Sequence, residues 1–295
     1  VYFVRGLYCW EQKTYHAKAV ESRNSAVCDQ FERDYALKTE FQTTITNNYP
    51  LVVSRVLDPN PGAALSGFYA VSQVSDLALA VVSDSLLLTG NIAPIAPGHR
   101  FAATAHNGSP IEIDIPPEGL TLAIKFPKKP GLNRIVPLLL TPEGESAPLP
   151  VQKLFIADGA QLLNQLEPTR AVQSWGELKK NRSVNGNILT VRRETFAEGL
   201  GTHASSEITY DIEEKWRWFE GAVGFDDEEP GGDGMLFRIL GDGRELFRST
   251  HILPNGIQWF RVDLTGVKTL TLAVDSLGDK NFDHANWLYP TLLSR

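Results

Sequence analysis

The chain has 295 residues, of which 42% are hydrophobic and 21% charged, which is enough for two domains with separate cores. Its net charge of −7 arises from 28 basic and 35 acidic residues, and no basic stretch stands out, which argues against nucleic acid as a partner. The 24 Gly and 18 Pro residues are spread along the chain and favour short strands joined by turns, so we expect a mainly β protein.

The first ten residues, VYFVRGLYCW, are apolar and aromatic, and the sequence starts with Val instead of Met. Either a signal peptide or a membrane helix preceded Val1, or the sequence starts at an arbitrary point. The chain itself contains no run of the roughly twenty apolar residues that a membrane span needs. An upstream membrane anchor is therefore one of two open alternatives.

Residues 1–48 are predicted to form a helical stalk. From residue 10 to about residue 45 there is no Pro or Gly, and Glu, Gln, Lys and Ala are frequent. The large apolar residues mostly follow at four-residue steps: Phe31, Tyr35, Phe41 and Ile45. This spacing predicts an amphipathic helix that ends before Pro50. The helix either joins copies of the chain into a homo-oligomer, close to a membrane, or packs on its own domain.

The two cysteines, Cys9 and Cys28, fall in this predicted helix. On one continuous helix they would lie about 28 Å apart, whereas a disulfide needs Cα atoms within about 7 Å of each other. They are therefore free, paired between chains, or joined across a broken helix.

Residues 49–150 are predicted to form a small antiparallel β domain. Short apolar runs, such as LVVSRVL, IEIDI and LTLAIKF, alternate with clusters that are typical of turns, such as PNPG, HNGSP and PKKPG. Every second residue is apolar from Leu120 to Phe126, as in a half-buried strand. The Pro-rich stretch TPEGESAPLP, residues 141–150, is interpreted as a linker.

Residues 160–295 show the clearest strand periodicity. Leu270, Leu272 and Val274 fall on one face of a strand, and Phe260, Val262 and Leu264 repeat the pattern in the strand before it. GMLFRILGDGRELFRS has two apolar runs around a Gly-Asp-Gly turn and predicts a hairpin. Several short antiparallel strands at this spacing predict a jelly-roll-like β-sandwich, with loops gathered at its ends.

Six segments of this half follow one another in a set order: SWGELKKNRSVNGNILTV, FAEGLGTHASSEITYDI, WRWFEGAVGFDDE, GMLFRILGDGRELFRS, VDLTGVKTLTLAV and GDKNFDHANWLYPTL. Their markers are a Trp-Gly pair, a G-x-G-T-H-A before a strand, a V-G-x-D-D after one, and a closing D-H-A-x-W. With these markers in this order, residues 160–295 resemble the NPCBM-type carbohydrate-binding modules.

This resemblance implies a bacterial, lectin-like sugar-binding module. Such modules usually belong to secreted glycoside hydrolases, and relatives favour galactose-type glycans, so the expected location is extracytoplasmic: periplasmic, cell-surface or secreted. The chain departs from the pattern in two ways. No recognisable catalytic domain accompanies the module, and Asn286 stands where the familiar closing motif has an Asp.

A sugar offers hydroxyl groups in fixed directions and one face of C–H bonds, so binding needs carboxylate, amide or imidazole partners and an aromatic ring. The candidate sugar-binding residues with these side chains are His203, Asp226, Asp227, Asp283, His284, Asn286, Trp287 and Trp259. Asp227 and Glu228 are also candidate ligands of a structural calcium ion. The alternatives stay open: His203 ties two loops together, the acidic run is a solvated turn, and Trp175 and Trp287 lie in the core.

We expect no enzymatic activity. A glycosidase needs two carboxylates facing each other across a cleft, and the first half offers no arrangement of that kind. The sequence also contains no G-x-S-x-G, H-E-x-x-H or phosphate-binding glycine loop. The leading interpretation is non-catalytic binding of glycans. The alternatives are a structural or protein-interaction component whose sandwich no longer binds sugar, and an accessory part of a glycoside hydrolase.

Overall fold

The computed structural model describes the backbone of residues 2–5, 35–45 and 49–59, and the chain with its side chains from residue 73 to residue 294. The exceptions in the long segment are residues 106–107, 143–145, 230 and 280, and the side chain of residue 147. The first described elements are the strands β1 (Tyr2–Arg5), β2 (Tyr35–Ile45) and β3 (Tyr49–Pro59). They form one antiparallel sheet in the order β1-β3-β2.

The predicted N-terminal helix is wrong over Tyr35–Ile45, which is strand β2. Residues four apart share a face in a helix, but they also share a face in a strand, where the period is two. The segment YALKTEFQTTI is rich in Thr and aromatic residues, which prefer the extended conformation. Pairing with β3 along its length therefore outweighs the weak helical pattern. The predicted helical stalk is also wrong at Tyr2–Arg5, which is strand β1, and the rest of the stalk, with both cysteines, lies outside the described residues.

Two further antiparallel sheets follow. The first has the order β4-β5-β8, and the second has the order β10-β9-β6-β7 with β11 also paired to β9. Their strands are β4 (Val74–Val82), β5 (Ser85–Ile92), β6 (Arg100–Ala105), β7 (Ile111–Asp114), β8 (Leu120–Pro127), β9 (Gly131–Leu140), β10 (Ser146–Pro148) and β11 (Gln152–Ile156). One hydrophobic core takes residues from both sheets, among them Leu88, Leu122, Phe101 and Ile135.

The alternation predicted for β8 is confirmed, because Leu122, Ile124 and Phe126 are buried and the residues between them are exposed. The predicted linker is wrong at Ser146–Pro148. These three residues pair with Leu138–Leu140 of β9 as strand β10. The one proline of this strand, Pro148, removes few hydrogen bonds at the edge of a sheet, which is why part of a Pro-rich segment can serve there as a short edge strand.

The C-terminal half contains two larger antiparallel sheets and a small hairpin. One sheet has the order β14-β17-β24-β19-β22 with β12 also on β24, the other has the order β13-β18-β23-β20-β21, and β15 pairs with β16. The strands are β12 (Ala160–Leu162), β13 (Arg170–Gln173), β14 (Lys179–Lys180), β15 (Leu189–Val191), β16 (Glu194–Phe196), β17 (Gly199–His203), β18 (Ser206–Asp211), β19 (Trp218–Phe225), β20 (Met235–Gly241), β21 (Arg244–Arg248), β22 (Ile257–Asp263), β23 (Thr269–Ser276) and β24 (His284–Leu293). The mainly antiparallel β prediction is confirmed.

The core of this half lies between its two large sheets. It combines Phe219 and Trp287 of one sheet with Phe237 and Leu272 of the other. The described residues contain one short 3-10 turn, Leu163–Gln165, between β12 and β13. No described helix is long and apolar enough to cross a bilayer.

Strand β24 lies inside its sheet and is buried along its whole length. Its core face carries Ala285 and Trp287. The opposite face carries His284, Asn286 and Leu288, and Leu288 packs there in a separate hydrophobic cluster with residues of the β15–β16 hairpin. The start of this opposite face, where β24 meets the ends of β17 and β19, is the part of the sheet that carries the polar side chains described next.

Candidate functional site

Two histidines face each other across a pair of neighbouring strands. The antiparallel register of β17 and β24 places His203 directly opposite His284, and directly opposed side chains on one face are in contact. Their ring centroids are 5.5 Å apart. Both imidazoles are almost buried, with 6% of His203 and 4% of His284 exposed. The register therefore joins two motifs that lie about eighty residues apart in the sequence.

Trp175 lies against both imidazoles. Its ring stacks on that of His284 with centroids 5.8 Å apart and an interplanar angle of 17°, and it is tilted against His203 at 5.4 Å. The residue is 53% exposed, so the expectation that Trp175 belongs to the core is wrong. The physical reason is its position in the loop that follows the edge strand β13, where Gly176 turns the chain with a φ of +66°.

The Trp175 loop is tied to strand β17 by hydrogen bonds. The Gln173 side chain donates to the Trp175 carbonyl at 2.6 Å, and the Thr202 hydroxyl donates to the Gln173 side-chain oxygen at 2.7 Å. The Ser174 hydroxyl donates to the Ala204 carbonyl at 2.5 Å and lies 3.1 Å from His203 Nδ1. These contacts hold the exposed ring in a defined position beside the two histidines.

Glu228 lies behind His284, and both oxygens of its carboxylate have hydrogen-bond partners. Glu228 Oε1 is 2.6 Å from His284 Nδ1. Glu228 Oε2 accepts hydrogen bonds from Ser183 Oγ at 2.6 Å and from Asn187 Nδ2 at 2.8 Å. Burial by itself would raise the pKa of Glu228, but the hydrogen bonds from these three side chains, that of His284 foremost, outweigh burial and lower the pKa below its ordinary value. Glu228 is therefore a carboxylate at neutral pH.

These partners fix the tautomers of both rings. A carboxylate and a carbonyl oxygen can only accept, so His284 Nδ1 donates to Glu228 and His203 Nδ1 donates to the Ala204 carbonyl at 2.6 Å. In each neutral imidazole, Nε2 is then the acceptor. An acceptor on His284 next to the exposed indole ring of Trp175 matches a ligand that offers a hydroxyl hydrogen and an apolar face.

Asp226 and Asp227 hold the neighbouring backbone in place. Asp226 is 1% exposed, and its carboxylate accepts from the backbone N–H of Glu228 and from the Asn286 amide. Burial is the main cause that raises the pKa of Asp226. Asp227 accepts the backbone N–H groups of Arg192 at 2.9 Å and Arg193 at 2.6 Å. Both aspartates therefore help to position the loop that carries Glu228; burial leaves Asp226 no surface for a direct sugar contact, and for the partly buried Asp227 that contact stays a prediction.

Three further predicted contacts are buried. Trp287 is fully buried and packs edge-to-face on Phe237 and Phe260, so its ring belongs to the core and cannot stack on a ligand. Asp283 is 0% exposed and Asn286 is 1% exposed. Asn286 and Trp287 are buried because β24 is covered on both faces, and Asp283 is the residue just before this strand.

Trp259 lies apart from these residues, on strand β22 at the far edge of the same sheet. For the predicted calcium site, Asp227 and Glu228 use their oxygens on the hydrogen bonds given above. In the part of the chain with described side chains, no three His, Cys, Asp or Glu side chains come together as ligands of a metal ion.

The predicted residues His203, His284 and Glu228 lie together in the structure. Trp175, Ser183 and Asn187, which contact them, were not among the predicted site residues. The Trp-Gly pair was the one signal that could have identified Trp175, because a Trp before a Gly with positive φ is a loop residue and not a strand residue. Ser183 and Asn187 carry no pattern in the sequence. They come to Glu228 only because the loop between β14 and β15 folds over it.

Comparisons with known proteins agree with the resemblance given by the motifs. Residues 159–293 match the model of the NPCBM/NEW2 domain. Alpha-1,3-galactosidase B of Akkermansia muciniphila is 30% identical over 122 residues, which are 39% of this chain and 15% of that protein. A putative endo-alpha-N-acetylgalactosaminidase of Renibacterium salmoninarum is 30% identical over 115 residues, 36% of this chain and 8% of that protein. The chain thus spans a small part of these curated relatives.

Among solved structures, the chain is similar to the CBM51 module of Clostridium perfringens GH95 in complex with methyl-galactose. That match has 30% identity and a TM-score of 0.43, and covers 45% of this chain and 99% of that chain. A second similar structure contains the CBM51-2 module of Clostridium perfringens ZmpB in complex with GlcNAc, together with INT domains. It has 26% identity and a TM-score of 0.44, and the match covers 57% of this chain and 38% of that chain.

Proposed function

We propose that residues 159–293, an NPCBM/NEW2 domain, bind a neutral galactose-type sugar without catalysing a reaction on it. The observation that carries this proposal is the exposed Trp175 ring held against the two imidazoles of His203 and His284. The similarity over 122 residues to an alpha-1,3-galactosidase supports the choice of galactose-type sugars.

The proposed mode of binding follows from the groups at the site. The C–H face of the sugar ring packs on the exposed indole of Trp175. A sugar hydroxyl donates to His284 Nε2, because Nδ1 of that ring is used by Glu228. The Glu228 carboxylate polarises the imidazole and strengthens the hydrogen bond that Nε2 accepts. A single site of this kind gives affinities from roughly micromolar to millimolar.

The proposal that the site is not catalytic rests on the hydrogen bonds and the burial that already occupy its carboxylates. Glycoside hydrolysis needs two carboxyl groups on either side of the scissile bond, about 5–9.5 Å apart. Here Glu228 is used by three side chains, and Asp226 is buried beneath it. We therefore assign Glu228 to orienting His284.

The wider organisation is part of the same proposal. Residues 49–150 act as a separate β domain before the module, and the protein works outside the cytoplasm, where glycans are its partners. An oligomer formed through the N-terminal region and an upstream membrane anchor remain predictions.

The test is titration of the full chain with methyl-galactoside and lactose, followed by calorimetry or ligand-observed NMR. We expect Trp175→Ala to weaken binding by about tenfold or more, because it removes the surface on which the sugar packs, and Trp175→Phe to retain part of the affinity. The matched control is Trp259→Ala, which removes a partly exposed tryptophan elsewhere on the same sheet and should leave the affinity within about twofold of the wild type.

The proposal fails if no neutral galactoside binds, or if Trp175→Ala binds as well as the wild type. If the well-folded wild-type chain binds no sugar, a structural or protein-interaction role is favoured instead.

A further inference from the structure

A cleft that is separate from the Trp175 site lies between the two halves of the chain, where the start of β9 meets β19, β22 and β24. Its volume is about 460 Å³, which is within the range of cavities that hold small ligands, about 300–1,000 Å³. The floor is apolar and consists of Leu132, Phe260 and Tyr289, each 6–7% exposed. The side chain of Trp259, 37% exposed, forms one wall. None of these residues belongs to the Trp175 site.

The charged side chains around this cleft are mostly cationic. Lys129, Arg134 and Arg261 line it, and Glu220 is the carboxylate among its lining residues. Arg134 is neutralised by a bidentate hydrogen bond to Glu194. Lys129 and Arg261 share Glu220 as their partner, so one positive charge is left over at the mouth of the cleft. This excess stands out in a chain whose net charge is −7.

Arg261 is the cation best placed to bind a ligand. Its guanidinium lies over the Trp218 ring, 4.7 Å from the centroid, which limits its freedom. Its contact with Glu220 is a 3.5 Å ion pair, longer than a charge-assisted hydrogen bond. The side chain is 48% exposed, and no hydrogen bond from its guanidinium to another described residue is present. Several of its N–H donors, in the fixed fork that suits a carboxylate, are therefore unused.

Glu220 complements Arg261. Its side chain is 11% exposed, and Oε1 accepts from Lys129 Nζ at 2.9 Å. A carboxylate at the base of the cleft accepts hydrogen bonds from ligand hydroxyls and repels a bare anion such as phosphate. A ligand that suits all parts of the cleft therefore needs hydroxyl donors, one anionic group and an apolar face for Trp259.

We propose that this cleft is a second glycan site and that its ligand is a sugar carrying a carboxylate, a hexuronic or a sialic acid. The carboxylate of the sugar binds the Arg261 guanidinium, hydroxyl groups donate to Glu220, and the C–H face packs on Trp259. The site is independent of the Trp175 site proposed for neutral galactosides, and it combines residues of both halves of the chain. The two sites together would allow the protein to hold a glycan that contains neutral and acidic residues.

The test uses the full chain and four probes: an oligosaccharide of hexuronic acid, sialyllactose, lactose and a sulfated galactoside. Binding is followed by ligand-observed NMR and by tryptophan fluorescence at low and at physiological salt. We expect at least one carboxylated probe to bind, more weakly at higher salt. Arg261→Gln and Trp259→Ala should each weaken that binding by about tenfold or more.

The controls separate this site from the first one. Arg244→Gln makes the same change at an exposed arginine of β21 outside the cleft and should bind like the wild type. Trp175→Ala should lose lactose and keep the carboxylated probe. The proposal is overturned if no carboxylated probe binds, if the sulfated probe alone binds, or if Arg261→Gln and Trp259→Ala both leave the binding of the carboxylated probe unchanged. Loss of that binding in Trp175→Ala alone would assign the acidic sugar to the first site.

Discussion

Replacing Asp283 with Asn is expected to stabilise the protein above pH 6. The Asp283 side chain is 0% exposed, and neither carboxylate oxygen has a hydrogen-bond partner of good geometry among the described residues. The Gly234 N–H and the Ser276 side chain, which lie nearby, lower the pKa of Asp283 by less than burial raises it. Burial, and after it the nearby carboxylate of Asp233, raises the pKa of Asp283 to about 6. Asn has nearly the same shape, carries no charge at any pH, and can donate to Asp233.

The magnitude follows from the difference between the folded and the unfolded pKa. Because the folded pKa is the higher one, the folded state of the wild type loses stability as the pH rises from about 4 to about 6, and the loss is complete above that window. A shift from 3.8 to about 6 corresponds to a penalty of about 1 kcal/mol at pH 4.5 and about 3 kcal/mol at pH 8. We therefore expect Asp283→Asn to gain about 2 kcal/mol more at pH 8 than at pH 4.5.

The assay is urea unfolding of both proteins at the two pH values, with fluorescence as the signal. Asp158→Asn, which removes an exposed carboxylate from a turn of the same half, is the control for a change of net charge and should show no such difference. The reasoning is refuted if the stability difference between Asp283→Asn and the wild type is the same at pH 4.5 and pH 8, or if it favours the wild type more at pH 8.

Three other substitutions test the contacts of the site and the core. Glu228→Gln should lower the free energy of unfolding by about 1–3 kcal/mol at pH 7, since it removes a charged partner from His284. Because the folded pKa of Glu228 is lowered, this loss of stability should shrink as the pH falls below about 4.5. Urea unfolding at several pH values measures it. Glu194→Gln should destabilise the contact between the two halves by about 1–3 kcal/mol, as it removes the carboxylate that holds Arg134 at 2.7 Å, and an unchanged calorimetric profile would contradict this. Trp287→Ala should lower the free energy of unfolding by about 3–5 kcal/mol because it leaves a cavity in the core. A loss of sugar binding without any loss of stability would mean that the Trp287 ring contacts the ligand.

The strands of the C-terminal half were predictable from local sequence patterns. The alternation of Leu270, Leu272 and Val274 predicted their burial, and all three lie in the core. The predicted hairpin around the Gly-Asp-Gly turn is confirmed as β20–β21. Asp242 and Gly243 adopt the positive φ values that such a turn requires. Local patterns suffice here, since the period of a strand and the conformational needs of a tight turn are properties of neighbouring residues.

The N-terminal region shows the limit of such patterns. A four-residue spacing fits a helix and a strand alike, so the identity of Tyr35–Ile45 depended on whether a partner strand was present. Strand β3 is that partner, and the pairing of two strands cannot be read from the spacing within one of them.

The polar and aromatic residues that form the candidate sites depend on contacts between distant parts of the chain, which local patterns do not predict. Trp287 stands in the most concentrated polar-aromatic motif of the sequence but is buried, whereas Trp175, which we expected in the core, is half exposed. Arg261 and Lys129 were not predicted as binding residues, because the cleft exists only where the two halves meet. The exposure of a side chain depends on which strands and loops pack over it, and those come from distant parts of the chain.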